Sequence, residues 1–212
     1  MPEITYIWIN PVTTGMYDPE ALAALLRRHR CVEVHCQGDW VTEVRRKYLE
    51  LTEQTDRVVS DARCPMAAAL VRELQQSLTD HPLEVAEVDP ILIHAARELS
   101  QREDLRDGPK LITTPCAALA ELGNALHLEN TRFCAWKELL AQWGETPAAR
   151  TLSASPIPPG FFDGTGLAVR KLTGKDEIAA YVNACLCGEE QLAEMLYCKD
   201  GCHNGDGVVW DE

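Results

Sequence analysis

Three places along the chain put a cysteine just past a short run of strand-forming residues. They are Arg63-Cys64-Pro65, Thr114-Pro115-Cys116, and the pair in Cys198-Lys-Asp-Gly-Cys202, which runs on into His203-Asn-Gly-Asp-Gly207. Thiolates are the soft ligands that iron-sulfur clusters and zinc take, and a cubane cluster needs four of them. Glycines around the last pair would let backbone amides approach cluster sulfides and donate hydrogen bonds to them. A Cys-x-x-x-Cys spacing is a weak signal by itself, so the specificity lies in the ordered set. Zinc stapling the fold is the structural alternative, but such sites usually draw both cysteine pairs from short knuckles. Here one pair and two single cysteines come from distant loops, which favours a cluster.

The chain carries nine cysteines, an odd number, and opens on MPEITYIWIN with no basic start followed by an apolar run. A disulfide framework is therefore disfavoured, and thiols in such number point to metal or redox chemistry with the surplus packed as small apolar residues. Cys31 and Cys36 on a predicted buried strand, and Cys134 in an apolar segment, read as packing. Cys185-Leu-Cys187 lies near a helix end and reads either as an incidental pair or as an alternative ligand. His203 either hydrogen-bonds the cluster or is a solvated loop residue, and Arg63 either offsets cluster charge or pairs with a surface acid. His35 and His94 read as core or interfacial histidines. Gly164-Thr-Gly166 is too short to cradle a phosphate.

Strands and helices alternate around these residues. Ile4 to Asn10, Cys31 to Cys36, Arg57 to Asp61, Lys110 to Thr114, Leu167 to Leu172 and Leu192 to Tyr197 read as strands. Helices are expected from Pro19 to His29, from Gly38-Asp39 to Glu53, from Met66 to Gln76, and from Asp89-Pro90 to Arg102. Further helices are expected over Ala117 to Ala125, Trp136 to Trp143 and Lys175 to Cys187. Leu152 to Gly166, rich in Ser, Pro and Gly, reads as an irregular linker. The alternation predicts an α/β fold of two lobes of mainly parallel sheet flanked by helices. The lobe boundaries are drawn at residues 1–88 plus the cluster loop 192–212, and at 89–191.

Of 212 residues, 46% are hydrophobic, enough for a real core. The 33 acidic residues against 20 basic give a formal charge of -13, which repels phosphate backbones and anionic membranes. Nucleic acid is not an expected partner. No apolar stretch approaches the roughly 18 residues of a membrane span, so no membrane partner and a cytoplasmic location are expected.

The order Cys-Pro, then Pro-Cys, then Glu194-Met-Leu-Tyr-Cys198-Lys-Asp-Gly-Cys202-His-Asn-Gly-Asp-Gly207 resembles the cluster domain of iron-only hydrogenases. Asp89-Pro90 to Leu99 sits where that family has a Ser-Pro helix, and Phe133 to Leu140 resembles its threonine-phenylalanine-glutamate-leucine segment. The resemblance implies a 4Fe-4S cluster between the two lobes, with Cys64, Cys116, Cys198 and Cys202 as ligands. It implies also that the last of these bridges to a two-iron catalytic centre. Relatives in cytosolic iron-sulfur assembly share the cysteine frame without being hydrogenases, so the fold alone does not fix the activity.

Several positions depart from the hydrogenase pattern. Arg63 stands where the family relays protons through a cysteine, and a guanidinium stays protonated. Leu119 stands where a lysine holds a cyanide of the two-iron centre, and Thr114 and Leu196 replace methionines. These losses remove the proton path, the anion anchor and much of the pocket lining. The expected protein is thus a non-hydrogenase iron-sulfur protein of electron transfer or redox sensing. Arg63, Thr114, Leu196 and His203 would surround the ligands, and a ferredoxin-like protein or a larger enzyme subunit would exchange electrons with it. Two enzymatic alternatives stay open at this point: a catalyst using the vacated site beside the cubane, and a residual hydrogenase.

Overall fold

The computed structural model describes residues 4–78, 83–146, 152–184 and 188–209. Eight strands are present among them: β1 (Thr5–Trp8), β2 (Cys31–Glu33), β3 (Val58–Ser60), β4 (Leu83–Val85), β5 (Lys110–Thr114), β6 (Thr131–Ala135), β7 (Val169–Thr173) and β8 (Leu192–Leu196). The helices are α1 (Pro11–Met16), α2 (Pro19–Arg28), α3 (Trp40–Gln54), α4 (Pro65–Gln75), α5 (Ile91–Gln101), α6 (Ala117–Asn124), α7 (Trp136–Trp143) and α8 (Lys175–Asn183). Local chemistry sets most of their starts. Asn10 and Asp18 cap α1 and α2 through their side-chain oxygens, each followed by proline at the first helical position, and Asp39 caps α3 from Oδ1 to the amide of Thr42.

The chain divides into two compact units. The first takes its described residues from Met1–Gly38, Leu92–Ile157 and Cys202–Glu212, the second from Asp39–Ile91 and Pro158–Gly201. The first unit holds a parallel sheet in the order β2-β1-β5-β6, with Ile7 opposite Leu111 and Ile112 opposite Phe133. Every residue of β5 is buried, as expected for a parallel strand covered on both faces. Ile7 and Leu111 pack with Leu25, Trp136 and Leu140, while Ile112 and Phe133 pack with Ile93 and Leu99 on the other side. Helices α2 and α7 thus cover one face and α5 the other. The order reverses between β1 and β5, and the carboxyl end of β5, which delivers Cys116, lies at that switch point, where open α/β sheets bind ligands.

The second unit holds the parallel sheet β4-β3-β8-β7, with Val59 opposite Leu192 and Leu172 opposite Met195. Met195, Leu172, Ile178 and Val71 form the core on one face, and Val59, Leu192, Tyr48 and Phe162 on the other. Adjacent central strands β3 and β8 both point their carboxyl ends at cysteine-bearing loops.

These units differ from the lobes drawn at 1–88 plus 192–212 and at 89–191. In strand pairing, β3 and β4 share one sheet with β7 and β8, joined through the β3–β8 pair, and β1 and β2 share the other with β5 and β6. The chain therefore crosses between units more often than linear reading suggests. Three elements were not anticipated, namely α1, β4 and β6. The strand expected over Cys31 to Cys36 ends at Glu33. Between 152 and 166 the described residues form neither helix nor strand, as the Pro, Gly and Ser content requires. Cys185 and Cys187 lie outside the described residues, and so does the end of the helix expected to reach Cys187.

Cys31 and Cys134 are buried in the first unit's core, and Cys36 packs partly buried against it. Burial pushes all three thiols up to about 11, so they stay protonated at neutral pH. At the surface of the same unit, Arg28 and His29 both reach Glu145, at 3.0 and 2.7 Å. The Arg28 hydrogen bond, then that of His29, lowers the Glu145 carboxyl below the usual carboxylate range. A depressed folded-state value means the pairing contributes above the unfolded carboxylate's pKa and is lost as pH falls through the folded one. In an NMR titration the Glu145 midpoint should therefore rise in Arg28→Ala.

Candidate metal centre

In the second unit, β3 ends at Ser60 and the turn Asp61-Ala-Arg63 leads to Cys64, the N-cap residue of α4. The amides of Tyr197, Ala67 and Met66 lie toward the Cys64 sulfur and favour its thiolate, although no helix amide closes a full capping bond. Burial outweighs these amides and the thiol is raised overall. It would be protonated until a metal displaces the proton, after which the same amides would stabilise the coordinated sulfur. Tyr197 follows β8 directly and Cys198 comes next, so the first ligand candidate is linked to the residue before the third. Asp200 and Gly201, both with positive φ (61° and 120°), turn the chain toward Cys202.

Beside Cys64, the Arg63 side chain is nearly buried and ion-paired. Its Nη2 donates to Asp61 Oδ2 at 2.7 Å and to Glu194 Oε1 at 3.0 Å, and both carboxylates are wholly buried. The guanidinium also lies over Phe161, 3.8 Å from the ring centroid. Arg63 is thus paired with acids, which are buried in the unit and not at the surface where sequence reading put such a partner. Tyr48 completes the group, donating to Asp61 Oδ1 and accepting from the Ala62 amide, both at 2.9 Å. Tyr48→Phe would leave that part-buried amide and one lone pair of the buried Asp61 carboxylate unsatisfied. It should cost about 1–3 kcal/mol in urea unfolding.

In the first unit, Pro115 and Cys116 follow β5, and Cys116 is the N-cap residue of α6 without a side-chain cap bond. Asp206 takes the capping role instead, accepting from the Ala117 amide at 3.0 Å. The loop from Cys202, which opens a 3-10 turn over Cys202–Asn204, is laid directly on Pro115-Cys116: the Gly207 amide donates to the Pro115 carbonyl at 3.1 Å, and the Lys137 amide to the Gly207 carbonyl at 2.7 Å. A Cβ on Gly205 would sit 2.4 Å from the Pro115 oxygen, and one on Gly207 2.8 Å from the Cys116 nitrogen. These glycines are needed for space, and the approach brings the Cys116 and Cys202 loops together.

The remaining positions singled out from sequence are accounted for locally. Thr114 is buried with its hydroxyl donating to the Cys116 carbonyl at 2.7 Å, and Leu196 and Leu119 are buried side chains. His203 has its Nδ1 shielded from solvent and without a hydrogen-bond partner among the described residues. Such an orphaned polar atom beside Cys202 calls for a partner that the described residues do not supply. Sequence reading missed Asp61, Tyr48 and Asp206. Asp61 was visible only as an acid closing an apolar strand.

Among the described residues, no three His, Cys, Asp or Glu side chains gather into one metal site. Of the four candidate cysteines, Cys116 and Cys202 belong to the first unit and Cys64 and Cys198 to the second. Taken unit by unit, the backbone amides at Cys64 in the second, and the glycine approach at Cys116 and the orphaned His203 nitrogen in the first, are surroundings that suit thiolate ligands of an iron-sulfur cluster in chemistry.

The chain has the α/β fold of iron-only hydrogenase catalytic domains, with two four-stranded parallel sheets flanked by helices. Among solved structures it is similar to the FeFe-hydrogenase HydA1 from Chlamydomonas reinhardtii. An apo Cys-to-His variant superimposes with a TM-score of 0.57 at 12% identity, covering 99% of this chain and 80% of the hydrogenase. A Glu-to-Gln variant gives 0.56 at 11% identity over the same shares. Likeness at this identity establishes the fold alone. No protein-family profile and no curated protein sequence matches the chain. Among the described residues, no helix is long and apolar enough to cross a membrane.

Proposed function

We propose that Cys64, Cys116, Cys198 and Cys202 hold a 4Fe-4S cluster, and that the protein acts in electron transfer or redox sensing without evolving hydrogen. When bound, such a cluster supplies one-electron exchange. The observation that carries the non-hydrogenase reading is the state of Arg63. By resemblance this position relays protons, and here it bears a permanently charged group tied to Asp61 and Glu194 and stacked on Phe161. A guanidinium does not release a proton at physiological pH.

Two further residues argue against a reacting site. The Thr114 hydroxyl is spent on a backbone carbonyl, and Leu196 is packed away from solvent. Electron transfer or sensing is favoured over catalysis for that reason. The partner would be a ferredoxin-like protein or a larger enzyme subunit, and the charge of -13 suits a partner with a basic face.

The test is a reductive titration under argon with headspace gas analysis. Reversible uptake of about one electron per chain, with no hydrogen above the viologen blank, is expected. Sustained hydrogen evolution would overturn the non-hydrogenase reading, and no electron uptake would overturn the redox role.

A further inference from the structure

The second unit contains an ionic group that cluster ligation by itself does not require. Asp61 and Glu194 are 0% exposed and the Arg63 side chain 9%. Asp61 Oδ1 accepts from the Arg63 amide and from Nε, at 2.9 and 3.0 Å, closing a tight side-chain turn over residues 61–63. Glu194 accepts from the amides of Gly160 and Phe161, at 2.8 and 2.9 Å, besides Arg63. Phe161 in turn offers its carbonyl to Arg45 and its ring face to Arg63.

Burying three charges is expensive, and a packed apolar replacement is often as stable, so stability alone does not explain such an arrangement. Its position does. Arg63 precedes Cys64, Glu194 lies four residues before Cys198, and β3 and β8 are neighbours in the sheet. The same two loops are drawn together again at the Tyr197 amide and the Cys64 sulfur.

We infer that Arg63 is a positioning residue, a guanidinium pin that locks the Cys64 turn to β8 and so presets Cys64 and Cys198 before metal arrives. This rests on the reading that both are ligands. The planar fork is essential, because Nε and Nη2 serve Asp61 together while Nη2 also serves Glu194. A lysine keeps the charge but cannot span that geometry.

The test compares the wild-type chain with Arg63→Met, Arg63→Lys and Leu99→Ala, the last a core truncation in the first unit whose cluster holds none of the candidate ligands. In the metal-free chains, amide exchange at Met66, Ala67 and Tyr197 should be at least about tenfold faster in Arg63→Met and raised in Arg63→Lys, and unchanged in Leu99→Ala. In iron-loaded chains, release to a chelator should follow the same ranking, and the reduced EPR line shape should change in the two Arg63 variants only. If Arg63→Met does not fold, Arg63→Lys carries both arms. Wild-type exchange at those three amides in the Arg63 variants would overturn the inference. A wild type that takes up no iron would overturn the cluster reading instead and leave the metal-free arm standing.

Discussion

Cys198→Ser should reduce iron and sulfide to background in anaerobically reconstituted protein, with loss of the visible charge-transfer absorption. Cys64→Ser, Cys116→Ser and Cys202→Ser should do the same. A serine hydroxyl is a hard donor with a far higher pKa than a thiol, and a cubane short of one thiolate is open to solvent and breakdown. Cys134→Ser is the matched control. That thiol is 2% exposed in the first unit's core and held protonated by burial, so its loss should cost packing energy and leave the cluster in place. Full iron content in Cys198→Ser would refute the ligand assignment.

Gly205→Ala should destabilise the first unit by about 1–3 kcal/mol in urea unfolding and shift the Cys116 turn. The added methyl would lie 2.4 Å from the Pro115 oxygen and 3.1 Å from the Cys202 oxygen, and both are backbone atoms in hydrogen-bonded turns that cannot swing aside. Gly207→Ala meets the Cys116 and Pro115 backbone at 2.8 Å and should behave alike. Gly144→Ala separates space from backbone strain. It ends α7 at φ 68° with nothing within 4 Å, so its cost is the left-handed conformation, about 1 kcal/mol, with no effect on metal uptake. Iron content equal to wild type in Gly205→Ala would show that the Cys116 turn is not held by this contact.

Much of this organisation was legible in the sequence because the physics is local. Pro19 and Pro65 mark helix starts, and the aliphatic and β-branched residues of Lys110 to Thr114 and Leu192 to Leu196 read as strand. The cysteine loops could be placed for the same reason, since each follows one of those strands. β6 was not legible: Thr131 to Ala135 shows no clean alternation, and its register is fixed by β5 and by Asn124, whose side chain bonds both the amide and the carbonyl of Phe133. The division into units also rests on pairings between strands far apart in the chain, which no local signal encodes. Arg63 was visible as a departure from the hydrogenase pattern, whereas its partners were not. Asp61, Glu194 and Tyr48 meet only when β3, β8 and α3 are assembled.

The most direct test of the central claim is metal and acid-labile sulfide content, read with low-temperature EPR before and after dithionite, on protein purified without oxygen. The account predicts about four irons and four sulfides per chain, with a paramagnetic signal from the reduced cubane. Stoichiometric zinc, or no metal after anaerobic reconstitution, would contradict it and leave a hydrogenase-like fold without its cluster.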